Sequence, residues 1–133
     1  MKKVLIIEDN ENNRYMIRFL LEKFGIDTIE ASTGEEGVAA AACQEPDLII
    51  VDIQLPDING LEVTRRIRGS KTGNDIPIIA LTSYAMSGDR KQALGAGCSG
   101  YMEKPIVPEE FIARIRAYLS NSMGAKDNER FDR

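Results

Sequence analysis

Short unbroken apolar runs alternate along this chain with longer stretches in which apolar residues recur every three or four positions. The two periods belong to different elements. An unbroken run of four or five fits a strand buried on both faces, and the three-to-four repeat marks one side of a helix. Lys3 to Ile7 is the first such run, and it closes on Glu8-Asp9-Asn10. Asn10 or Asn12 then caps a helix with Glu11 in its first turn. That helix is expected to reach about Phe24, with Met16, Leu20 and Phe24 on one stripe, Ile17 and Leu21 beside it, and Gly25 just past its end. Asp27 to Ala31 is a second strand, less apolar and so expected at an edge. Ser32 or Thr33 caps an Ala-rich helix that ends before Pro46.

The stretch from Pro46 to Pro56 is the most informative. Leu48 to Val51 are too few for a helix and fit a doubly buried strand that stops abruptly at Asp52. After a loop containing Asp57-Ile58-Asn59-Gly60, a helix is expected through Leu61, Val63, Thr64 and Ile67 to Arg68. Ile76 to Leu81 is a fourth strand, closing at Thr82-Ser83. A weaker helix follows over about Ser87 to Leu94, then a fifth strand over Ser99 to Glu103 and Lys104-Pro105. Pro108 suits the first position of a last helix carrying Phe111, Ile112, Ile115 and Leu119. Five strands alternating with five helices predict an α/β fold, a (βα)5 doubly wound parallel five-stranded sheet. The flavodoxin-like strand order 2-1-3-4-5 places the three most apolar strands in the middle. Residues 1–120 form one domain in this reading, and 121–133, which lack periodicity, a disordered tail.

Composition narrows the function. The 133 residues suit a single domain. With 17 basic and 21 acidic side chains and a net charge of −4, no basic patch recommends nucleic acid as a direct partner. No apolar run approaches the ~18 residues of a membrane span. The run after Met1-Lys2-Lys3 is too short for a signal peptide, so membrane insertion is not expected and a cytoplasmic location is. Cys43 and Cys98 lack metal or redox spacing and are expected to be buried free thiols. The chain contains no histidine, which removes Ser-His-Asp and Cys-His catalysis and a phosphohistidine role for the chain itself.

In the predicted topology the central strands all end at one edge: at Glu8-Asp9, at Asp52, at Thr82 and at Lys104. Open α/β sheets bind their ligands at that edge. Three carboxylates meeting there repel, and without a cation one is pushed toward protonation. A divalent ion relieves this, and an all-oxygen set favours Mg²⁺ or Mn²⁺. Three carboxylates, a +2 ion and Lys104 sum to zero charge. A phosphoryl group on Asp52 would lie between the cation, the Lys104 ammonium and the Thr82 hydroxyl, the equipment of phosphoryl transfer with Asp52 as nucleophile.

These residues together resemble the receiver domain of two-component response regulators, in particular a stand-alone, single-domain regulator, over about Lys2 to Leu119. Glu8-Asp9 is similar to the family's acidic pair, Asp52 to its phospho-acceptor, Thr82 to its switch hydroxyl, Tyr101 to its switch aromatic, and Lys104-Pro105 to its Lys-Pro. Thr82 follows Asp52 by 30 residues and Lys104 follows Thr82 by 22, as in the family. The resemblance implies that Asp52 takes a phosphoryl group from a histidine kinase or histidine phosphotransfer protein. It implies Mg²⁺ held by Asp9, Asp52 and the Gln54 main-chain carbonyl, with Glu8 acting through water. Lys104 and Thr82 would contact phosphoryl oxygens, Tyr101 would swing inward, and the Lys104-Pro105 bond would be cis. The chain is then no free-standing metabolic enzyme, catalysing only its own phosphorylation and slow autodephosphorylation.

Output is expected through contact with a downstream protein still to be identified, by a surface including Met86, Tyr101, Met102, Ile106 and Val107. Asn13, Arg14, Ile17 and Leu21 are the expected kinase-docking positions, and the chain a monomer or weak dimer. Ser83, where the family usually has Ala, leaves the dephosphorylation rate open. Gln54 and Tyr84 stand at positions that in the family tune access of hydrolytic water, and their bulk implies a phosphoryl lifetime longer than that of the fastest members. A related phosphohydrolase would carry a second Asp where Gln54 stands. A flavin or nucleotide module would have a Gly- and Ser-rich loop in place of acidic Glu8-Asp9-Asn10-Glu11. A receiver-like scaffold that is never phosphorylated would not need the complete residue set.

Overall fold

The computed structural model describes residues 2–70, 75–83 and 89–120. In chain order the elements are β1 (Lys3–Ile7), α1 (Glu11–Lys23), β2 (Asp27–Ala31), α2 (Gly34–Gln44), β3 (Leu48–Asp52), α3 (Gly60–Arg68), β4 (Ile78–Thr82), α4 (Asp89–Ala96), β5 (Gly100–Glu103) and α5 (Pro108–Ser120). The five strands form one parallel sheet in the order β2-β1-β3-β4-β5. Every residue of β3 and β4 is buried, because a strand flanked by strands and covered on both faces meets no water. Strand β2 lies at the edge and keeps only Ala31 buried.

Alternation along the strands divides the core in two. Val4, Ile6, Leu48, Ile50, Ile79 and Leu81 point to one face and pack against Ile17 and Leu21 of α1 and Phe111, Ile112, Ile115 and Leu119 of α5. Leu5, Ile7, Ile49, Val51, Ile78 and Ala80 point to the other and meet Ala41 of α2, Leu61, Val63 and Ile67 of α3, and Ala93 and Ala96 of α4. Among the described residues no helix is long and apolar enough to cross a membrane.

Several boundaries differ from expectation for local reasons. Strand β4 begins at Ile78 rather than Ile76, since Pro77 has no N–H and the Ile76 carbonyl is taken by Arg68 Nη1 at 2.6 Å. Strand β5 begins at Gly100; at Ser99 the N–H still donates to the Ile78 carbonyl at 2.7 Å, but Ile78 N returns its bond to the Ser99 hydroxyl at 3.1 Å rather than to a carbonyl. Helix α4 continues past Leu94 to Ala96 and is stopped by Gly97 at φ 113°. Helix α1 ends at Lys23, one residue before the expected end, and Phe24 is 46% exposed, with the Arg116 guanidinium over its ring. Ile26 is buried. Cys98 is buried as expected, whereas Cys43 is exposed on α2. The tail, 121–133, lies outside the described residues, as do Tyr84 and Met86.

Candidate functional site

The carboxyl edge of the sheet collects the buried polar side chains. Among the described residues these are Glu8, Asp52, Thr82 and Thr64, and the first three lie at that edge. Strand register brings them level: Ile7 is opposite Val51, Asp52 opposite Leu81, and Thr82 opposite Glu103. Glu8 and Asp52 are 1% and 4% exposed, while Asp9 faces solvent. One ligand oxygen from each of Glu8, Asp9 and Asp52 lies within 4.8 Å of the other two.

Lys104 closes the cluster. Its Nζ donates to Glu8 Oε1 at 2.8 Å and to Asp52 Oδ2 at 3.0 Å, and its backbone N–H donates to the Thr82 carbonyl at 2.8 Å. The Lys104–Pro105 bond is cis. Burial opposes the Lys104 charge, but hydrogen bonds to Glu8 and Asp52 and their negative charges outweigh it and raise the ammonium pKa. Glu8 is pushed up in turn. Burial is the main cause and the Asp52 charge adds to it, against the pull of Lys104 and of the Asn10 N–H. The expected tendency of one carboxylate toward protonation therefore falls on Glu8.

Glu8 and Asp52 are oriented from behind. Glu8 Oε2 accepts from Asn10 N at 3.1 Å, and the Glu8 carbonyl from Arg14 Nη1 at 2.8 Å. Asp52 Oδ1 accepts from Gln54 N at 3.1 Å. The chain after Asp52 turns back so tightly that Gly60 N donates to the Ile53 carbonyl at 2.8 Å. A Cβ at Gly60 would run into the Asp52 main-chain carbonyl, so only glycine fits there.

The carboxylate set suits a hard divalent cation. Around an octahedral Mg²⁺ with bonds of ~2.1 Å, ligand oxygens stand about 3 to 4.2 Å apart, a spacing these groups reach with small rotations. No thiol or imidazole competes: Cys98 lies near Thr64, at 3.6 Å, and the chain has no histidine. Glu8, Asp9 and Asp52 are the groups close enough together to hold such an ion, and Glu8 has both oxygens already hydrogen-bonded.

The expected contact surfaces need correction. Ile17 and Leu21 are fully buried in the core beneath α1, where the helix meets the sheet, and Met102 is buried under α5. None of the three is available to a partner. Arg14 is tied inward, to the Glu8 carbonyl and, at 2.9 Å, to Glu30 Oε1. Asn13 is half-buried, and its N–H donates to the cap Asn10. Tyr101 is half-buried, and Ile106 packs against the core edge. On α1 the outward residues are Tyr15 and Phe19, 57% and 54% exposed, their rings stacked 6.3 Å apart.

Sequence reasoning missed Asp57. In the sequence it is one residue of a loop, yet both its oxygens accept backbone N–H bonds from α2, a partner that no local pattern names. Gly60 carried a usable signal, a glycine beside a cap asparagine, but its reason is a tertiary contact.

Comparison with known proteins places this geometry. The model of the response regulator receiver domain matches residues 4–116. The polar-differentiation response regulator DivK of Brucella ovis is 42% identical over 121 residues, 91% of this chain and 98% of DivK. The receiver domain of the sensor histidine kinase PA1611 from Pseudomonas aeruginosa PAO1 superposes with a TM-score of 0.83 at 34% identity, over 90% of this chain and 98% of that one. That structure has a magnesium ion coordinated in its active-site cleft. A CheY-like receiver domain protein from Methanospirillum hungatei superposes with a TM-score of 0.87 at 27% identity, over 93% of this chain and 98% of that one.

Proposed function

Since the chain belongs to the response regulator receiver domain family, whose members are signalling proteins rather than metabolic enzymes, we propose that it is a phosphorylation-activated switch whose phospho-acceptor is Asp52. The observation that carries this reading is the bridge from Lys104 to Glu8 and Asp52 beside Asp9. It gathers three carboxylates and one ammonium around the end of a single buried strand.

The donor is a phosphohistidine on a histidine kinase or histidine phosphotransfer protein. The Asp52 carboxylate attacks phosphorus in line; a P–O bond forms as the P–N bond breaks, and the departing imidazole takes a proton from water. When bound, Mg²⁺ neutralises charge on the phosphoryl oxygens and orients them; Mn²⁺ shares the required oxygen preference. Asp9, Asp52 and the Gln54 carbonyl would hold that ion, and Glu8, occupied by Lys104 and Asn10, would act through water. Lys104 leaves a carboxylate to pair with a phosphoryl oxygen, and the Thr82 hydroxyl donates to another. Tyr101 follows Thr82 inward and changes the surface that a downstream protein reads.

Output is by contact with a downstream protein. Leu94, Val107 and the edge of Ile106 supply exposed apolar area beside β5 for that target. The kinase meets the outer face of α1, where Tyr15, stacked on Phe19, borders a polar hollow lined by Glu11, Asn12, Arg14, Arg18 and Glu30. Incubation with Mg²⁺ and acetyl phosphate is expected to add one phosphoryl mass, absent in Asp52→Asn. An adduct that survives in the mutant, or none in the wild type, rejects the assignment.

A further inference from the structure

The first four N–H groups of a helix have no partner within it. In α2 the third helical residue is capped locally, Glu36 N donating to Thr33 Oγ1 at 3.1 Å, and Gly37 N makes the first bond of the helix itself, to the Thr33 carbonyl at 3.0 Å. The two before them, Gly34 N and Glu35 N, donate to Asp57 Oδ1 and Oδ2, each at 2.8 Å. Asp57 comes from the loop between β3 and α3, five residues after Asp52. These are charge-assisted bonds at the positive end of a helix dipole. They reach across 23 and 22 residues of sequence, so they join two parts of the fold rather than close one turn.

The rest of the loop shows what the bonds hold. Its start is fixed by Ile53 N donating to the Leu81 carbonyl at 2.9 Å, and its end by Gly60 N on the Ile53 carbonyl. Ile58 packs on Gly34 so closely that a Cβ there would collide with it. Asp57 and Ile58 thus seat the middle of the loop on the first turn of α2. Gln54, Leu55 and Pro56 span the short interval between the fixed Ile53 and the fixed Asp57.

We propose that Asp57 is a positioning residue for the metal site: its two bonds to α2 set the Gln54–Pro56 segment, and so hold the Gln54 main-chain carbonyl beside Asp9 and Asp52. This rests on the reading of those groups as an Mg²⁺ site. Helix α2 supplies no ligand; its first turn is the anchor. Coupling of this kind is reciprocal, so Mg²⁺ must tighten the latch by the factor with which the latch tightens Mg²⁺ binding. A plain helix cap has no such consequence.

The test uses the full chain and Mg²⁺ alone, followed by amide NMR and hydrogen exchange. In the wild type, Mg²⁺ shifts the Asp9 and Asp52 amides and slows exchange at Gly34 and Glu35. Asp57→Ala raises the Mg²⁺ half-saturation concentration by about tenfold, the low end for groups that orient metal ligands. Asp57→Asn, which retains one acceptor oxygen, falls between. Thr33→Ala, which removes the other cap of α2 and leaves the loop alone, lowers the unfolding midpoint without moving half-saturation. Equal half-saturation in wild type and Asp57→Ala, or an equal rise in Thr33→Ala, overturns the latch while leaving the metal site standing. If Asp57→Ala does not fold, unchanged Gly34 and Glu35 exchange in Mg²⁺-saturated wild type overturns it as well. A wild type whose Asp9 and Asp52 amides ignore Mg²⁺ overturns the metal reading and the latch together.

Discussion

At Asp9 a single exposed carboxylate separates two roles that coincide at Asp52. Asp52 is buried and bonded to both Lys104 and Gln54 N, so replacing it disturbs packing and charge together. Asp9 is exposed, and Asp9→Asn is expected to change the metal-free unfolding free energy by no more than ~0.5 kcal/mol. With Mg²⁺ at 100 times its dissociation constant the wild type gains about 2.7 kcal/mol, and the mutant at that concentration gains much less. Urea unfolding with and without Mg²⁺ measures both. An equal gain in the mutant removes Asp9 from the ligand set. Glu8 and Lys104 show how far a residue's identity predicts its state. That acids would crowd one edge was legible from strand ends, whereas the raised pKa of Glu8 comes mainly from its enclosure, which only the folded structure supplies.

The turn from β3 into α3 is held at three points. Gly60 abuts the Asp52 carbonyl, Asn59 Oδ1 caps α3 through Leu61 N at 2.6 Å, and Asp57 caps α2. Gly60→Ala must displace backbone rather than a side chain, so it is expected to cost about 3 kcal/mol, the upper end for overpacking. It should also lower phosphorylation of Asp52, read from the urea midpoint and adduct yield; a neutral variant refutes the close approach. The same turn gives acid sensitivity. Burial works to raise the Asp57 pKa, but the N–H groups of Glu35 and Gly34 prevail and hold it below the ordinary carboxylate value. Its stabilising effect is therefore complete above the unfolded-state pKa and fades as pH falls through the lower folded one. Asp57→Asn should flatten this acidic limb of the stability profile; an unchanged slope would refute the assignment. Strand and helix identities were readable throughout, whereas ends were set by details such as the missing Pro77 N–H and the left-handed Gly97.

For the molecule as a whole, two half-cores share one sheet. Phe111 is fully buried between α5 and the face carrying Ile6, Ile50 and Leu81. Phe111→Ala is expected to cost about 3–5 kcal/mol, a large share of the ~5–15 kcal/mol that holds a domain together. The loss should appear as a lowered urea midpoint with an unchanged slope, since the same surface is exposed on unfolding. A loss under about 1 kcal/mol would mean that α5 is not integral to this half-core.

The order of strands and helices, the doubly buried character of β3 and β4 and the edge position of β2 were determined by the sequence alone, because apolar period and run length are local. The convergence of Glu8, Asp9, Asp52, Thr82 and Lys104 was legible too, since a parallel sheet brings every strand's carboxyl end to one edge. Which face of α1 is free was decided by tertiary structure. Ile17, Leu21, Tyr15 and Phe19 are all apolar or aromatic, and only the sheet beneath says that the first pair is covered and the second exposed. Asp57 was decided there as well. A carboxylate in a turn becomes the clamp on α2 only when folding brings that helix's unpaired N–H groups within 2.8 Å.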